Sequence, residues 1–172
     1  MTQNVAAMMH RHAARVFQQA WVVNDIDDGI AAMKNTLGCG DFVKIPLGRM
    51  PWIVHGEEAI CDMTLAFGRS GNTQIELMQP ISGPGCVSEF AARFGAGPHH
   101  IGCTVDDFDH AIALAAADGI EAVMIGGFGP VRTAWLDTFD EIGQYFEFIH
   151  DPKGLLVKTM PWRDEQLDGG AR

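Results

Sequence analysis

The chain reads as an α+β protein built from two βαβββ modules whose mixed sheets form a half-barrel cleft. Two observations lead there. The stretches 18–27 (QQAWVVNDID) and 100–109 (HIGCTVDDFD) align without gaps, each a short β-prone run that ends at an Asn/Asp-Asp pair and then turns helical. Each half also closes alike, with Gln74-Ile75-Glu76-Leu77-Met78 in the first and Tyr145-Phe146-Glu147-Phe148-Ile149 in the second.

The elements follow in order. A strand around Gln18 precedes a helix whose apolar residues Ile26, Ile30, Met33 and Leu37 share one face of a 3.6-residue period. Asn24 or Asp25 is placed to cap its first turn and Gly38 to end it. Strand-like runs at 41–48, 61–68 and 73–79 complete module 16–80, with an apparent insertion over Met50–Glu58. Segment 81–96 is the expected linker, opened by Ser82-Gly83-Pro84-Gly85. Module 97–152 repeats the pattern: a strand near His100, a helix capped by Asp106 or Asp107 with Phe108, Ala111, Ile112 and Ala115 on one face, a stop at Gly119, then strands at 120–126, 131–138 and 143–150. The tails, 1–15 and 160–172, read as irregular, with His10 and His12 solvated.

Composition bounds the function. A chain of 172 residues with 47% hydrophobic and 20% charged residues suits one globular domain, 1–172. Acidic residues outnumber basic ones 22 to 12, for a net charge of −10, which argues against nucleic-acid and anionic-membrane partners. No apolar run approaches the ~20 residues of a membrane span, and the N-terminus carries no signal-peptide pattern, so a cytoplasmic location is expected. Cys39, Cys61, Cys86 and Cys103 are scattered, with no C-x-x-C pair, and suggest neither a disulfide framework nor a zinc clip.

Strand side chains alternate between faces, so parity sorts each motif. Ile101, Cys103 and Val105, Phe146 and Phe148, Ile75 and Leu77, and Trp21 and Val23 take the helix side. That leaves Gln18, Glu76, His100 and Glu147 on the opposite face, at repeat-equivalent places. If the two sheets lie side by side, the four converge in a cleft. Two carboxylates buried among apolar residues repel each other unless a cation or a shared proton compensates. With an imidazole and an amide oxygen they suit one divalent ion: Ni, Co, Mn, Zn or Fe. Tyr145, Thr104 and Met78 share the inner parity and are candidate pocket residues, as is Trp135. His99 has opposite parity and reads as structural. Trp52 shapes specificity if 50–58 covers the cleft.

These residues are where the chain resembles the vicinal oxygen chelate superfamily, which includes glyoxalase I, methylmalonyl-CoA epimerase, extradiol dioxygenases, and fosfomycin- and bleomycin-resistance proteins. The resemblance spans Val16 to Pro152. It rests on Gly97-Pro98-His99-His100-Ile101-Gly102 leading to Val105-Asp106-Asp107, on Ile75-Glu76-Leu77-Met78-Gln79-Pro80, and on Phe146-Glu147-Phe148. Carried over position by position, the family's metal ligands fall on Gln18, Glu76, His100 and Glu147. Gln18 stands where many members have His, which counts against an extradiol dioxygenase and its two-His, one-carboxylate iron site. The resemblance implies an isomerase, epimerase or lyase acting on a small-molecule carbonyl substrate through a metal-stabilised enolate or enediolate. Glu147 is the first choice of base and Glu76 its partner. A homodimer is expected because such proteins commonly pair. The alternatives are an extradiol-type dioxygenase of the same fold and a non-catalytic small-molecule-binding protein of the resistance type.

Overall fold

The structure, a computed structural model, describes residues 3–158. The expected tail at 160–172 lies outside them. The N-terminal tail does not stay irregular: α1 (Gln3–His12) and a 3-10 turn (Ala13–Arg15) lead into β1 (Val16–Val22). Val5 and Met8 stand one helical turn apart and are buried beside Phe108, Ala111, Phe146 and Phe148. Asn4 Nδ2 donates to the Asp118 carbonyl at 2.7 Å, and Arg11 pairs with the Asp118 carboxylate. His10 is exposed, whereas the His12 ring is half-buried with its centroid 4.8 Å from that of Phe148.

Helix α2 (Ile26–Leu37) is capped by Asp25, whose Oδ1 accepts from the Asp27 and Asp28 amides at 2.9 and 3.0 Å. It ends at Gly38 in the left-handed region that glycine tolerates. β2 (Val43–Val54) and β3 (Glu57–Ser70) then form one long hairpin, followed by β4 (Thr73–Ser82). The segment read as an insertion is therefore strand on both sides of a two-residue turn, His55-Gly56, with φ of 48° and 85°. Positive φ at both central residues gives the twist that a tight hairpin needs.

The linker also holds structure. α3 (Cys86–Phe94) buries Cys86, Val87 and Phe90, an apolar stripe of helical spacing. β5 (Gly97–Thr104) and α4 (Phe108–Ala117) follow, the helix capped by Asp107 Oδ1 on the His110 amide at 3.0 Å. β6 (Ala122–Phe128), β7 (Val131–Leu136), a short α5 (Phe139–Ile142), β8 (Tyr145–His150) and α6 (Leu155–Lys158) complete the described chain.

The eight strands form one mixed sheet, β1-β4-β3-β2-β6-β7-β8-β5, closed by antiparallel pairing of β5 with β1. The expected half-barrel is thus a full barrel, because β2 runs on to pair with β6 at Ile53↔Ile125 and Val54↔Met124. Outside it, α2 covers Val23, Ala66 and Leu77, while α4 and α1 cover Cys103, Phe146 and Phe148. The interior holds Ala20, Val22, Leu65, Phe67, Met78 and Trp135. No helix among the described residues is long and apolar enough to cross a membrane.

The docking of α1 is testable. Met8 is fully buried, so Met8→Ala should cost about 3 kcal/mol of unfolding free energy in urea titrations. A loss below ~0.5 kcal/mol would show that α1 does not pack in solution.

Candidate metal centre

Strand register brings the polar side chains together. In one row across the sheet, Gly102 on β5 stands between Gln18 on β1 and Glu147 on β8. In the next, Ala20 on β1 stands between Glu76 on β4 and His100 on β5. A long side chain thus flanks a nearly absent one in both rows, so the four ends lean over the small residues and meet. The space is tight: a Cβ added at Gly102 would lie 2.3 Å from Gln18 Oε1.

All four are buried, none more than 5% exposed. Three oxygens face one imidazole nitrogen. His100 Nε2 lies 2.8 Å from Glu147 Oε2, 3.3 Å from Glu76 Oε2 and 3.2 Å from Gln18 Oε1. One N–H serves one acceptor well, and here it is directed at Gln18; Glu147 Oε2 is buried with no hydrogen bond. A ligand atom each from Glu76, His100 and Glu147 lies within 4.8 Å of the others, the spacing that a shared ion requires. An orphaned carboxylate oxygen beside a hard-donor set fits a divalent cation.

Sequence reasoning missed the residues that aim these ligands. Gln18 Nε2 donates to Gln74 Oε1 at 2.6 Å, which turns the amide oxygen toward the centre. Thr133 Oγ1 donates to Glu147 Oε1. Gln74 stands two positions from Glu76, and Trp135 is in register with Glu147, so parity applied to every polar residue of β4 and β7 would have found both strands' contributions.

In the neutral imidazole, Trp135 Nε1 donates to His100 Nδ1 at 3.0 Å, which leaves the ring proton on Nε2. An ion at Nε2 requires that proton on Nδ1, where His99 Nδ1 stands 3.0 Å away as an acceptor. His99 is completely buried despite its opposite parity, packed between Phe90 and Tyr145.

The pocket candidates separate. Trp135 lines an apolar cleft with Gln18, Glu76 and Glu147. Tyr145 starts its strand beyond the cleft, and its ring meets His99 and Phe139 at an outer recess. Met78 is buried in the interior, and Thr104 is half-buried at the far end of β5; neither lines the cleft.

Burial pushes the Glu76 carboxyl up to about 6, helped by Glu147 and opposed by His100. Burial alone would lower His100, but Glu147 and Glu76 override it and hold the imidazole at about 9. Burial, reinforced by His100, drives His99 well below its ordinary value.

Comparison with known proteins follows the same lines. Residues 17–136 match the model of the glyoxalase/bleomycin resistance protein/dioxygenase superfamily; that span contains Gln18, Glu76 and His100 and ends before Glu147. The fold is similar to a hypothetical protein from Bacillus halodurans C-125 (21% identity, 80% of this chain and 94% of that one, TM-score 0.58). It is also similar to methylmalonyl-CoA epimerase from Mycobacterium tuberculosis (20%, 83% and 91%, TM-score 0.55). A methylmalonyl-CoA epimerase in complex with methylmalonyl-CoA and NH4+ is a further neighbour (20%, 81% and 95%, TM-score 0.56). No curated protein matches significantly in sequence.

In the ion-free protein both Glu76 and His100 bind their protons more tightly folded than unfolded. Stability should therefore fall as pH rises, from 4.5 to about 6 through Glu76 and from 6.5 to about 9 through His100. An ion competes with the same protons, so its affinity should rise over pH 6 to 9 with proton release, read by calorimetry in buffers of different ionisation enthalpy. A pH-independent affinity would contradict the ligand set. Gly102→Ala should weaken ion binding at least tenfold without unfolding the chain, because the added methyl displaces the Gln18 amide; unchanged affinity would remove Gln18 from the centre.

Proposed function

The chain belongs to the glyoxalase/bleomycin resistance protein/dioxygenase superfamily, and on that footing we propose that it is a divalent-metal-dependent isomerase, epimerase or lyase that moves a proton at the carbon beside a carbonyl. The observation that carries this reading is the buried group Glu76, His100 and Glu147 with Gln18 beside it, opening on an apolar cleft. The methylmalonyl-CoA epimerases among the structural neighbours support it.

In this reading Gln18, Glu76, His100 and Glu147 hold the ion, which supplies polarisation of the substrate carbonyl. The protein supplies the proton chemistry. Glu147 takes the proton: Oε1 accepts from the Thr133 hydroxyl, and Oε2, the oxygen nearest His100 Nε2, would leave the ion to act as base when substrate binds. Glu76 stands on the far side of His100 and is the second carboxylate. It is placed to return a proton to the opposite face. The apolar lining excludes water that would otherwise hydrate both carboxylates and weaken them as bases. Gln18 brings an amide oxygen where an imidazole would otherwise stand, and that donor set favours carbonyl chemistry over oxygen activation at iron.

Metal analysis of the purified chain, before and after chelation and reloading, should return one divalent ion, lost in Glu76→Ala and His100→Ala. The reloaded protein, incubated in D2O with α-branched thioesters, 2-oxo acids and 1,2-dicarbonyls, should place deuterium beside the carbonyl of at least one, read by mass spectrometry. Glu147→Gln should slow that exchange on the order of a thousandfold while keeping most of the ion. Exchange at the original rate in Glu147→Gln would end its role as base, and no retained ion under any loading condition would end the metal reading.

A further inference from the structure

The cleft contains two indoles with opposite hydrogen-bond status. The ring centroids of Trp52 and Trp135 lie 5.6 Å apart. Trp135 has its N–H committed to His100. Trp52 is only 3% exposed, lines the same cleft, and its Nε1 has no hydrogen-bond partner among the described residues. Buried indole N–H groups ordinarily find an acceptor. The seat of this one is specific: the Cε3 side of the ring rests on Gly126, where an added Cβ would come within 2.1 Å, and Nε1 is on the other side of the indole.

The rest of the wall is apolar: Leu47, Leu65, Phe67, Phe128, Val131 and Leu156 all line it, and among the described lining residues there is no lysine or arginine. Glu76 and Glu147 already balance the two charges of a divalent ion. A second carboxylate or a phosphate on the part of the substrate inside the cleft would have no counter-charge, in surroundings where an unpaired charge is costly.

We infer that Trp52 is a specificity-determining residue whose N–H donates to an oxygen of the substrate, and that the carbonyl compound bound in this cleft carries an uncharged aromatic or branched aliphatic body. This rests on the proposed function for the words substrate and carbonyl, but the site itself is defined by Trp52 and its wall.

The test needs no ion. In 1H–15N spectra of the full chain after chelation, the Trp52 indole signal is assigned by its loss in Trp52→Phe. Benzamide, an uncharged aromatic with a carbonyl acceptor, should move that signal downfield and saturably. Acetamide, which has the acceptor without the body, should not move it at the same concentration, and benzoate should bind at least tenfold more weakly than benzamide. In Trp52→Phe, benzamide followed through the Trp135 signal should bind about tenfold more weakly, the size of one neutral hydrogen bond. If that variant does not fold, the other three indole signals are assigned by Trp21→Phe, Trp135→Phe and Trp162→Phe, and the downfield direction of the remaining Trp52 signal carries the result. A Trp52 signal that benzamide leaves in place would overturn the donor role, and benzoate binding as well as benzamide would overturn the uncharged body. Because the sample is ion-free, these results stand apart from metal loading: a chain that binds benzamide yet never retains an ion would fail the proposed function and keep this inference.

Discussion

Everything in this barrel is arranged around one electrostatic problem, two carboxylates buried against one imidazole. Glu76 and Glu147 each approach His100 Nε2, and a single ring nitrogen cannot hydrogen-bond both and Gln18 as well. Without a cation the fold resolves the excess charge with protons, which is why both Glu76 and His100 hold theirs more tightly than usual. The supporting hydrogen bonds with Gln74 and Thr133 then serve orientation, since each fixes one ligand side chain from behind. Those two supports come from β4 and β7.

The architecture that permits this is economical in residue size. Had positions 20 and 102 carried ordinary side chains, the ligands would be held apart by a layer of packed atoms. Ala20 and Gly102 remove that layer at two places only, and the interior elsewhere keeps large residues such as Phe67, Leu65 and Trp135. Gly126 does the same service for Trp52 on the opposite wall. The site is therefore shaped as much by three missing side chains as by the polar ones that fill the space.

Much of this was legible in the sequence, and for identifiable reasons. The pairing of Gln18 with His100 and of Glu76 with Glu147 could be read because a repeat preserves position and because strand parity is strict: Ile75, Leu77, Phe146 and Phe148 declared the helix side by their chemistry. What escaped reading depended on long-range geometry or on misleading punctuation. Pro46 and Pro51 disguised β2, although His55-Gly56 is a two-residue hairpin turn. Gly83-Pro84-Gly85 looked like a linker and hid the apolar spacing of Cys86, Val87, Phe90 and Phe94, while Val5 and Met8 formed too short a stripe to stand out before their partners on α4 were known. Closure of the barrel left no local signal, since two register pairs between distant strands decide it.

Those two pairs give the barrel an uneven circumference. Where β1 meets β5 the halves are joined along most of both strands, but β2 and β6 share only Ile53↔Ile125 and Val54↔Met124. Separation at that seam would break the fewest interstrand register pairs in the barrel. Trp52 is the residue next to the seam. The wall that carries the unpaired indole is thus also the most lightly paired part of the barrel's circumference.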